Sequence, residues 1–534
     1  MRLTNCVLVL ACCIGMHAQT QFEPKPEVAG VTMDSKGVPI RKTNLVLVSL
    51  ATNAAGDPMP AYSTVSASDG KFEFYGIPPG RYRLLADHGG YLRTNYGAKT
   101  QWGSGTVLTL RQGVPIAGLE IRLPEQAVIS GKVIYDGIAN SLSLALLQEK
   151  YQDGQRQTTA VSSATADSSG EFRFNRLTPG RYYLLASPMA RPDTGADEEI
   201  GVQTYYPGVL DQAEAEPITV RGGQSVSVEL TVQKSRHFRV SGTVSDLPPN
   251  GARMALTMRP VGDATQIFSS ALAGADGKFH FDSVTPGSYI LIGSAAGPTP
   301  RLVQQPISVQ DNITDLFVTA EQYPPLRGSV KVEGGSGGTS WLRVMLRSAP
   351  PAFQAQMVQA GADGSFVFGP IFPGRYRYQF MNLPPGAYLK SAKLGDKDAL
   401  SGIDLTDLSP DARLEFVISY AGALIEGAIV DEQGKAAEGT ATLVPDPPQP
   451  EQPWLYQTAE AGDGGQFQFQ GVRPGKYRLY AWEELEPGSY MDPQVTAAHD
   501  AEAVAIEVKE NETKKVAIKR IPVEMPPASG SGGR

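Results

Sequence analysis

Cysteine is scarce in this chain: its three residues, Cys6, Cys12 and Cys13, all stand near the amino terminus. If that segment is removed, the remainder has no thiol, so it can form no disulfide and no cysteine-ligated metal site. Histidine is also scarce, and the four beyond position 20 are spread along the chain without zinc-ligand spacing: His88, His237, His280 and His499. The sequence therefore predicts no metal site and no cofactor.

Long runs of positive charge are also missing, and the formal net charge is −8. Nucleic acid is therefore not an expected partner. Beyond the amino terminus no apolar run reaches the length of a membrane span, so no transmembrane segment is expected.

The amino terminus reads "MRLTNCVLVLACCIGMHAQT", with one arginine ahead of a short apolar stretch. This pattern predicts a secretory signal peptide over residues 1–18, cleaved between Ala18 and Gln19. A lipoprotein signal, with a lipid anchor on Cys12 or Cys13, is the alternative. Either interpretation predicts an exported protein in the periplasm, at the cell surface or outside the cell.

Glycine and proline are plentiful, with 57 and 41 residues. Many of them occur in a sequence motif that recurs along the chain. "SDGKFEFYGIPPGRYRLLA" is followed by "DSSGEFRFNRLTPGRYYLLA", "ADGKFHFDSVTPGSYILIG", "ADGSFVFGPIFPGRYRYQF" and "GDGGQFQFQGVRPGKYRLYA". The motif recurs about every hundred residues, which is the length of a whole domain rather than of a solenoid repeat.

Each part of the motif has a structural interpretation. Asp69-Gly70 predicts a tight hairpin turn, after which Phe72 and Phe74 point to one face of a strand. Pro79-Gly80 predicts a type II turn with the glycine in the left-handed region. Tyr82 then points inward, and its hydroxyl is expected to bond nearby backbone, as in a tyrosine corner.

The opening "SGxV" and the later "DGxFxFxxhxPGxYxLxA" resemble the carboxypeptidase regulatory-like domain. The resemblance implies an all-β protein of five tandem antiparallel β-sandwich modules, transthyretin-like or immunoglobulin-like, in an extended string. The expected divisions are modules at 19–125, 126–235, 236–321, 322–419 and 420–522, and a flexible tail at 523–534. The family is found in bacterial envelope proteins and implies little about chemistry.

The sequence contains no residue pattern that is typical of a catalytic site, so we predict that the protein is not an enzyme. Surplus aromatic residues favour carbohydrate binding at the cell envelope, with polysaccharide or envelope proteins as partners. The alternative is a structural spacer or protein-docking scaffold without a small ligand. In "GKYRLYAWEE" alternation places Arg478, Tyr480 and Trp482 on an outward face, beside Glu483. These four residues form the predicted ligand site, in which the two rings stack on a sugar.

Overall fold

The computed structural model describes residues 27–51, 59–135, 142–152, 155–188, 199–248, 253–261, 269–296, 300–335, 338–349, 353 and 355–523. The expected signal peptide and most of the expected tail lie outside these residues. The chain divides into two compact units. The first holds the described residues up to 89, with 93–97 and 105–123, and the second holds 90–92, 98–104 and the described residues from 124 onward.

Strands account for nearly all regular structure and fall into five repeats, which are named here by their strands. The first repeat contains β1 (Val28–Asp34), β2 (Asn44–Ser49), β3 (Tyr62–Val65), β4 (Lys71–Phe74), β5 (Gly80–Asp87), β6 (Thr94–Asn95), β7 (Leu108–Leu110) and β8 (Ile116–Leu123). The second contains β9 (Ala127–Ile134), β10 (Leu142–Gln152), β11 (Gln155–Thr165), β12 (Glu171–Leu177), β13 (Gly180–Pro188), β14 (Ile200–Gly201), β15 (Thr204–Tyr205), β16 (Ile218–Val220), β17 (Ser225–Thr231) and β18 (Lys234–Ser235). The third contains β19 (Phe238–Ser245), β20 (Met254–Pro260), β21 (Ser269–Ala273), β22 (Lys278–Val284), β23 (Gly287–Ala295), β24 (Arg301–Val309) and β25 (Ile313–Thr319).

The fourth repeat contains β26 (Pro325–Glu333), β27 (Arg343–Ser348), β28 (Gln356–Gln359), β29 (Ser365–Pro370), β30 (Arg375–Met381), β31 (Tyr388–Leu394), β32 (Lys397–Asp398), β33 (Ile403–Asp404) and β34 (Arg413–Ser419). The fifth contains β35 (Ala423–Val430), β36 (Thr440–Pro445), β37 (Gln457–Glu460), β38 (Gln466–Val472), β39 (Gly475–Trp482), a short helix α1 (Pro493–Ala497), β40 (Val504–Val508) and β41 (Thr513–Ile521). Single 3-10 turns stand at Gln212–Glu214, Pro453–Leu455, Asp463–Gly465 and Ser489–Met491. The described part of the chain has no helix with the length and apolarity of a membrane span.

Every repeat contains the same two strand groups, which in the fifth repeat are joined into one sheet by the parallel pairing of β39 with β41. In the first group the opening strand lies between the Phe-x-Phe strand and the closing strand, as in β4-β1-β8 and β12-β9-β17. In the second group the Pro-Gly strand pairs with the second strand, as in β3-β2-β5 and β11-β10-β13. Most pairings are antiparallel, but each closing strand runs parallel to its opening strand, which alternation alone does not reveal.

The phenylalanine pair of each motif lies in the core, as the alternation predicted. Its two rings meet edge to face, with centroids 5.5–6.1 Å apart in all five repeats. Phe72 and Phe74 are buried while Lys71 and Glu73 are exposed. Burial of one such ring contributes about 1.5–3 kcal/mol, so each phenylalanine pair stabilises the core of its repeat by several kcal/mol.

The expected tyrosine corner is confirmed in each repeat. The hydroxyl donates to the carbonyl oxygen four residues earlier, at 2.8–2.9 Å, in the pairs Tyr82–Pro78, Tyr182–Thr178, Tyr289–Thr285, Tyr376–Phe372 and Tyr477–Arg473. Each ring is buried, so the bond satisfies a hydroxyl that would otherwise be costly inside the core. The bond also fixes the loop that leads into the strand.

The type II turn expected at the Pro-Gly pair is wrong for Gly80 and Gly180. Both glycines begin a strand and lie outside the left-handed region. A Cβ on Gly80 would stand 3.2 Å from the ring of Tyr82. Close approach of the tyrosine ring, rather than backbone handedness, therefore favours glycine at position 80.

The expected extended string does not hold inside the second unit. Arg156 of β11 forms an ion pair of 3.0 Å with Asp492 of the fifth repeat and a short hydrogen bond of 2.5 Å with Gln494. Two intervening repeats separate these residues in sequence, so the second unit brings its second and fifth repeats together.

The module boundaries at 125, 235, 321 and 419 stay predictions, because a boundary is defined by independent folding.

The turn before the Phe-x-Phe strand does require a left-handed glycine. Gly70 has a φ of 79°, and a Cβ there would lie 2.6 Å from the carbonyl oxygen of Thr32. Gly113, in the same repeat, has a φ of 74° but no atom within 4 Å of the added Cβ. We expect Gly113→Ala to lower the free energy of unfolding by about 1 kcal/mol and Gly70→Ala by about 1–3 kcal/mol. Urea unfolding checks both variants, and equal losses would contradict the close contact at Gly70.

Candidate functional site

The four residues predicted as a ligand site come together, but they do not form an open surface. Tyr480 is 1% exposed and Trp482 is 5% exposed. Their rings stack with centroids 5.6 Å apart, as two neighbouring outward side chains can. The stacking surface proposed for a sugar is therefore wrong, because the rings lie inside a second apolar cluster.

The segment that follows β39 supplies the cover. Leu485, Tyr490, Met491 and Val495, together with buried Ile521, pack around the two rings. Inside the cluster, Trp482 Nε1 donates to Thr442 Oγ1 at 2.9 Å. Tyr480 donates its hydroxyl to Asp500 at 2.9 Å, so both polar ring atoms are satisfied. The apolar residues of this segment, and Asp492 as a helix cap before Pro493, are the sequence signal that indicates this cover.

The two charged members of the predicted site are held by ion pairs. Arg478 lies 3.2 Å from Asp446 and 2.7 Å from Asp500. Glu483 lies 3.2 Å from Arg520 and 2.8 Å from Lys99, a residue of the second unit. These contacts give both side chains a structural role.

The pKa of Glu483 reflects these contacts. Burial acts to raise the pKa, and the hydrogen bond from Lys99 opposes it, with further help from the backbone N–H of Val523 and from Arg520. The balance lowers the pKa below its ordinary value. Glu483 is therefore charged at neutral pH and committed to internal partners.

A cleft of about 670 Å³ lies beside this cluster in the second unit, between the fourth and fifth repeats, and shares Tyr490 and Met491 with it. One wall is formed by residues of β27 and β30, among them the outward Arg347, Arg377 and Gln379, and the other includes Pro453–Leu455 and Tyr490. Gln157 of β11 also borders it. Its volume lies in the range of ~300–1,000 Å³ that is typical of small-ligand sites.

Aromatic rings dominate the lining of this cleft. They come from both repeats and include Phe353, Phe380, Tyr388, Trp454, Tyr456 and Tyr490. Three glutamines and three arginines add polar groups: Gln157, Gln379, Gln457, Arg347, Arg377 and Arg473. Tyr388 and Tyr456 are buried and Phe380 packs against Phe416 of the core. The partly exposed rings of Phe353, Trp454 and Tyr490 are therefore the ones that can offer an apolar face beside these hydrogen-bond donors.

Contacts between the fourth and fifth repeats hold the two walls together. Tyr388 donates its hydroxyl to Glu510 at 2.9 Å, and Lys390 lies 3.4 Å from the same carboxylate. Gly471 has a φ of 65°, and a Cβ there would lie 3.1 Å from the backbone nitrogen of Ala387. Close backbone packing of this kind fixes the width of the cleft before any ligand enters.

The tyrosines around the cleft stay protonated well above neutral pH. Burial is the largest cause, and it raises the pKa of Tyr456 to about 12. Burial likewise raises the pKa of Tyr378 and Tyr490. These hydroxyls therefore act as neutral hydrogen-bonding groups and not as general bases at pH 7.

Trp482→Ala tests the burial of the sequence-predicted site. Removal of a buried tryptophan leaves a cavity and an unpaired Thr442 hydroxyl, so we expect a loss of about 3–5 kcal/mol in the free energy of unfolding. Urea unfolding of the second unit measures it. Trp102→Ala is the control, because Trp102 is 38% exposed and should cost far less. A Trp482→Ala protein as stable as the parent would contradict the burial.

The raised pKa of Tyr456 predicts a loss of stability in alkali. The folded state keeps a proton that the unfolded chain gives up near pH 10, so stability is complete below about pH 10 and falls as the pH rises toward 12. Urea unfolding between these pH values should show this fall. Tyr456→Phe should make it shallower, whereas Tyr75→Phe, at a side chain 48% exposed, should leave it unchanged. Equal slopes in all three proteins would refute the assignment.

Comparison with known proteins matches two parts of the chain to families. Residues 27–113 match the carboxypeptidase regulatory-like domain, and residues 433–513 match domain II of polysaccharide lyase family 4. No curated protein matches the chain.

Solved structures that match the chain include bacterial pilins and a bacterial collagen-binding protein, all at low identity and low TM-score. The minor pilin of Streptococcus agalactiae shares 13% identity over 42% of this chain and 99% of its own, with a TM-score of 0.22. Two B repeat units of the collagen-binding protein of Staphylococcus aureus share 10% identity over 74% and 99%, with a TM-score of 0.14. The major pilin of Streptococcus pneumoniae shares 8% over 93% and 100%, with a TM-score of 0.19.

The recurring pair of strand groups and the family match together identify the architecture. The motif that carried the resemblance in the sequence falls within the matched residues of the first repeat, since Asp69-Gly70 and Tyr82 lie between 27 and 113. The chain is a tandem β-sandwich protein whose first repeat is similar to the carboxypeptidase regulatory-like domain.

Proposed function

We propose that this protein is an exported, non-catalytic β-sandwich scaffold that binds carbohydrate in the cleft between its fourth and fifth repeats. The observation that carries the proposal is the lining of that cleft, where aromatic rings from two repeats stand beside glutamine and arginine side chains. Aromatic rings stack on the apolar faces of sugars, and amide and guanidinium groups bond sugar hydroxyls. This site replaces the one expected at Tyr480 and Trp482.

Two further points support the proposal. The family matched by residues 433–513 is named for a polysaccharide lyase, and those residues include Trp454, Tyr456 and Arg473 of the cleft. The apolar amino-terminal segment, with its expected cleavage after Ala18, supports export to the periplasm, the cell surface or the outside of the cell. Polysaccharides are available as ligands in these places.

The chemistry of the cleft supports a binding role without turnover. Hydrolysis of a glycosidic bond ordinarily needs a pair of carboxyl groups. None of the described residues that line the cleft is aspartate, glutamate or histidine. The tyrosines there have raised pKa values, so the tyrosinate that a base would require is scarce at neutral pH.

Filling the cleft tests this proposal. Gln379 is exposed and lines the cleft from β30, so Gln379→Trp should block ligand entry without disturbing the core. Met381, two residues later on the same face, is 39% exposed and lies outside the lining, which makes Met381→Trp the matched control.

We expect the mature protein to bind at least one polysaccharide of a broad panel in affinity electrophoresis. Gln379→Trp should lose that binding, while Met381→Trp keeps it and both variants keep the parent melting temperature. If no polysaccharide of the panel binds, the proposal is wrong, and the alternative role as a spacer or protein-docking scaffold is favoured. Binding that survives Gln379→Trp would place the site elsewhere.

A further inference from the structure

The second repeat carries a strand pair that is longer than its counterparts. β10 and β11 span eleven residues each, whereas the equivalent second and third strands of the other four repeats span four to seven. β13 pairs with β10 only as far as Leu147. Beyond that point 148–152 of β10 and 155–159 of β11 pair with each other and with no other described strand. This two-stranded extension is called the arm.

The arm needs support from outside its own repeat, because a two-stranded ribbon by itself is marginally stable in water. Arg156 supplies one such contact. Its guanidinium group donates to Asp492 Oδ2 at 3.0 Å and to Gln494 Oε1 at 2.5 Å, both in the fifth repeat. The Asp492 side chain is only 9% exposed, which strengthens its attraction to the guanidinium group. The ion pair therefore anchors the arm to the fifth repeat.

The backbone of the arm also packs closely against the fifth repeat. Gly488 has a φ of 86°, and a Cβ there would stand 2.7 Å from the carbonyl oxygen of Tyr151. A side chain at position 488 would therefore push the arm away. Lys150, the neighbour of Tyr151, stands 5.1 Å from the ring centroid of Trp102, in a cation–π contact within the second unit. These contacts hold the end of the arm against the fifth repeat and against the segment 98–104.

The anchored arm stands beside the cleft. Gln157, next to Arg156, is half-buried and borders the cleft. Burial raises the pKa of the Tyr151 hydroxyl, the charge of Asp492 adds to this rise, and Arg377 of the cleft wall opposes it. Tyr151 therefore lies within electrostatic reach of charged groups from both the fourth and the fifth repeat.

The same connection of three repeats meets at the cleft. Between its second and third strands the fourth repeat contributes Phe353 and Ala355, and the fifth repeat contributes Pro453–Leu455. The arm is the equivalent connection of the second repeat, in which the strands themselves are prolonged. Connections on a rigid sandwich are the segments that commonly carry binding residues. The position of the arm thus follows the pattern of the two connections that already line the cleft.

We infer that the arm is a third wall of the carbohydrate cleft, and that Arg156 is the positioning residue that holds it there. The inference rests on the proposed function and adds a part of the site that the fourth and fifth repeats do not supply. With the arm docked, the amide of Gln157 is in place for a sugar hydroxyl before any ligand enters. A wall fixed in advance spares the ligand the conformational entropy of ordering it.

A thiol at position 157 tests the docking of the arm without any ligand. The expected mature chain has no cysteine, so Gln157→Cys introduces a unique thiol. We expect its reaction with a maleimide to become about tenfold faster when Arg156→Gln is added, because the arm then opens more often. Glu149→Gln is the control, since it removes a charge from an exposed side chain of the same arm and should leave the rate unchanged. Equal rates with and without Arg156→Gln would overturn the positioning role.

Affinity electrophoresis in gels of xylan, galactomannan or polygalacturonate tests the part of the arm in binding. Arg156→Gln should weaken binding about tenfold to the polysaccharide that retains the parent, at an unchanged melting temperature. Arg156→Lys keeps the positive charge and should bind nearly as well as the parent. The double variant Arg156→Cys, Gln494→Cys, joined by a bis-maleimide, should regain the parent affinity, because the linker replaces the ion pair.

Each outcome distinguishes the third wall from the cleft itself. If Arg156→Gln binds as tightly as the parent while Gln379→Trp does not bind, the cleft stands and the third wall is overturned. If the cross-linked protein binds as weakly as Arg156→Gln, positioning is overturned in favour of direct contact between the guanidinium group and the sugar. If the parent is retained by none of the polysaccharides, the proposed function fails and the third wall fails with it, even where the thiol rates show a docked arm.

Discussion

The packing of one tyrosine and two phenylalanines determines how every repeat of this protein is built. In the second repeat, Phe172 and Phe174 point inward from β12, and Tyr182 points inward from β13. The tyrosine hydroxyl bonds the carbonyl oxygen of Thr178, which anchors the loop before its own strand. This one cluster joins the two strand groups and holds a loop in place. Close packing around it therefore restricts which side chains the inner faces of the sandwich can hold.

The outer faces are where the repeats differ. The outer face of β39 carries Tyr480 and Trp482, and the segment from Leu485 to Val495 covers it. The outer face of β30 carries Arg377 and Gln379 and borders a cleft. The same inner core thus supports a buried second cluster in one repeat and an accessible polar wall in another. Function in such a fold depends on what covers the outer faces, not on the motif that builds the core.

A binding site made from two repeats has a physical advantage over one on a single sheet. The outer face of a sheet is nearly flat, and a ligand resting on it stays largely hydrated. Packing of the fourth repeat against the fifth, through Tyr388 with Glu510 and Gly471 with Ala387, creates a concave surface with fixed walls. Rigid walls reduce the conformational entropy that a ligand would otherwise have to offset.

The sequence by itself determined the sandwich fold, the buried Phe-x-Phe pairs and the tyrosine corners, because each follows from alternation and turn chemistry within about twenty residues. It did not determine the parallel closing strands, the contact of Arg156 with Asp492, or the cover over Trp482. Alternation separates two faces of a strand, but it cannot say whether the outward face meets water, another segment or another repeat. That choice depends on apolar burial between residues far apart in sequence, so only the tertiary structure decided where an accessible cleft remained.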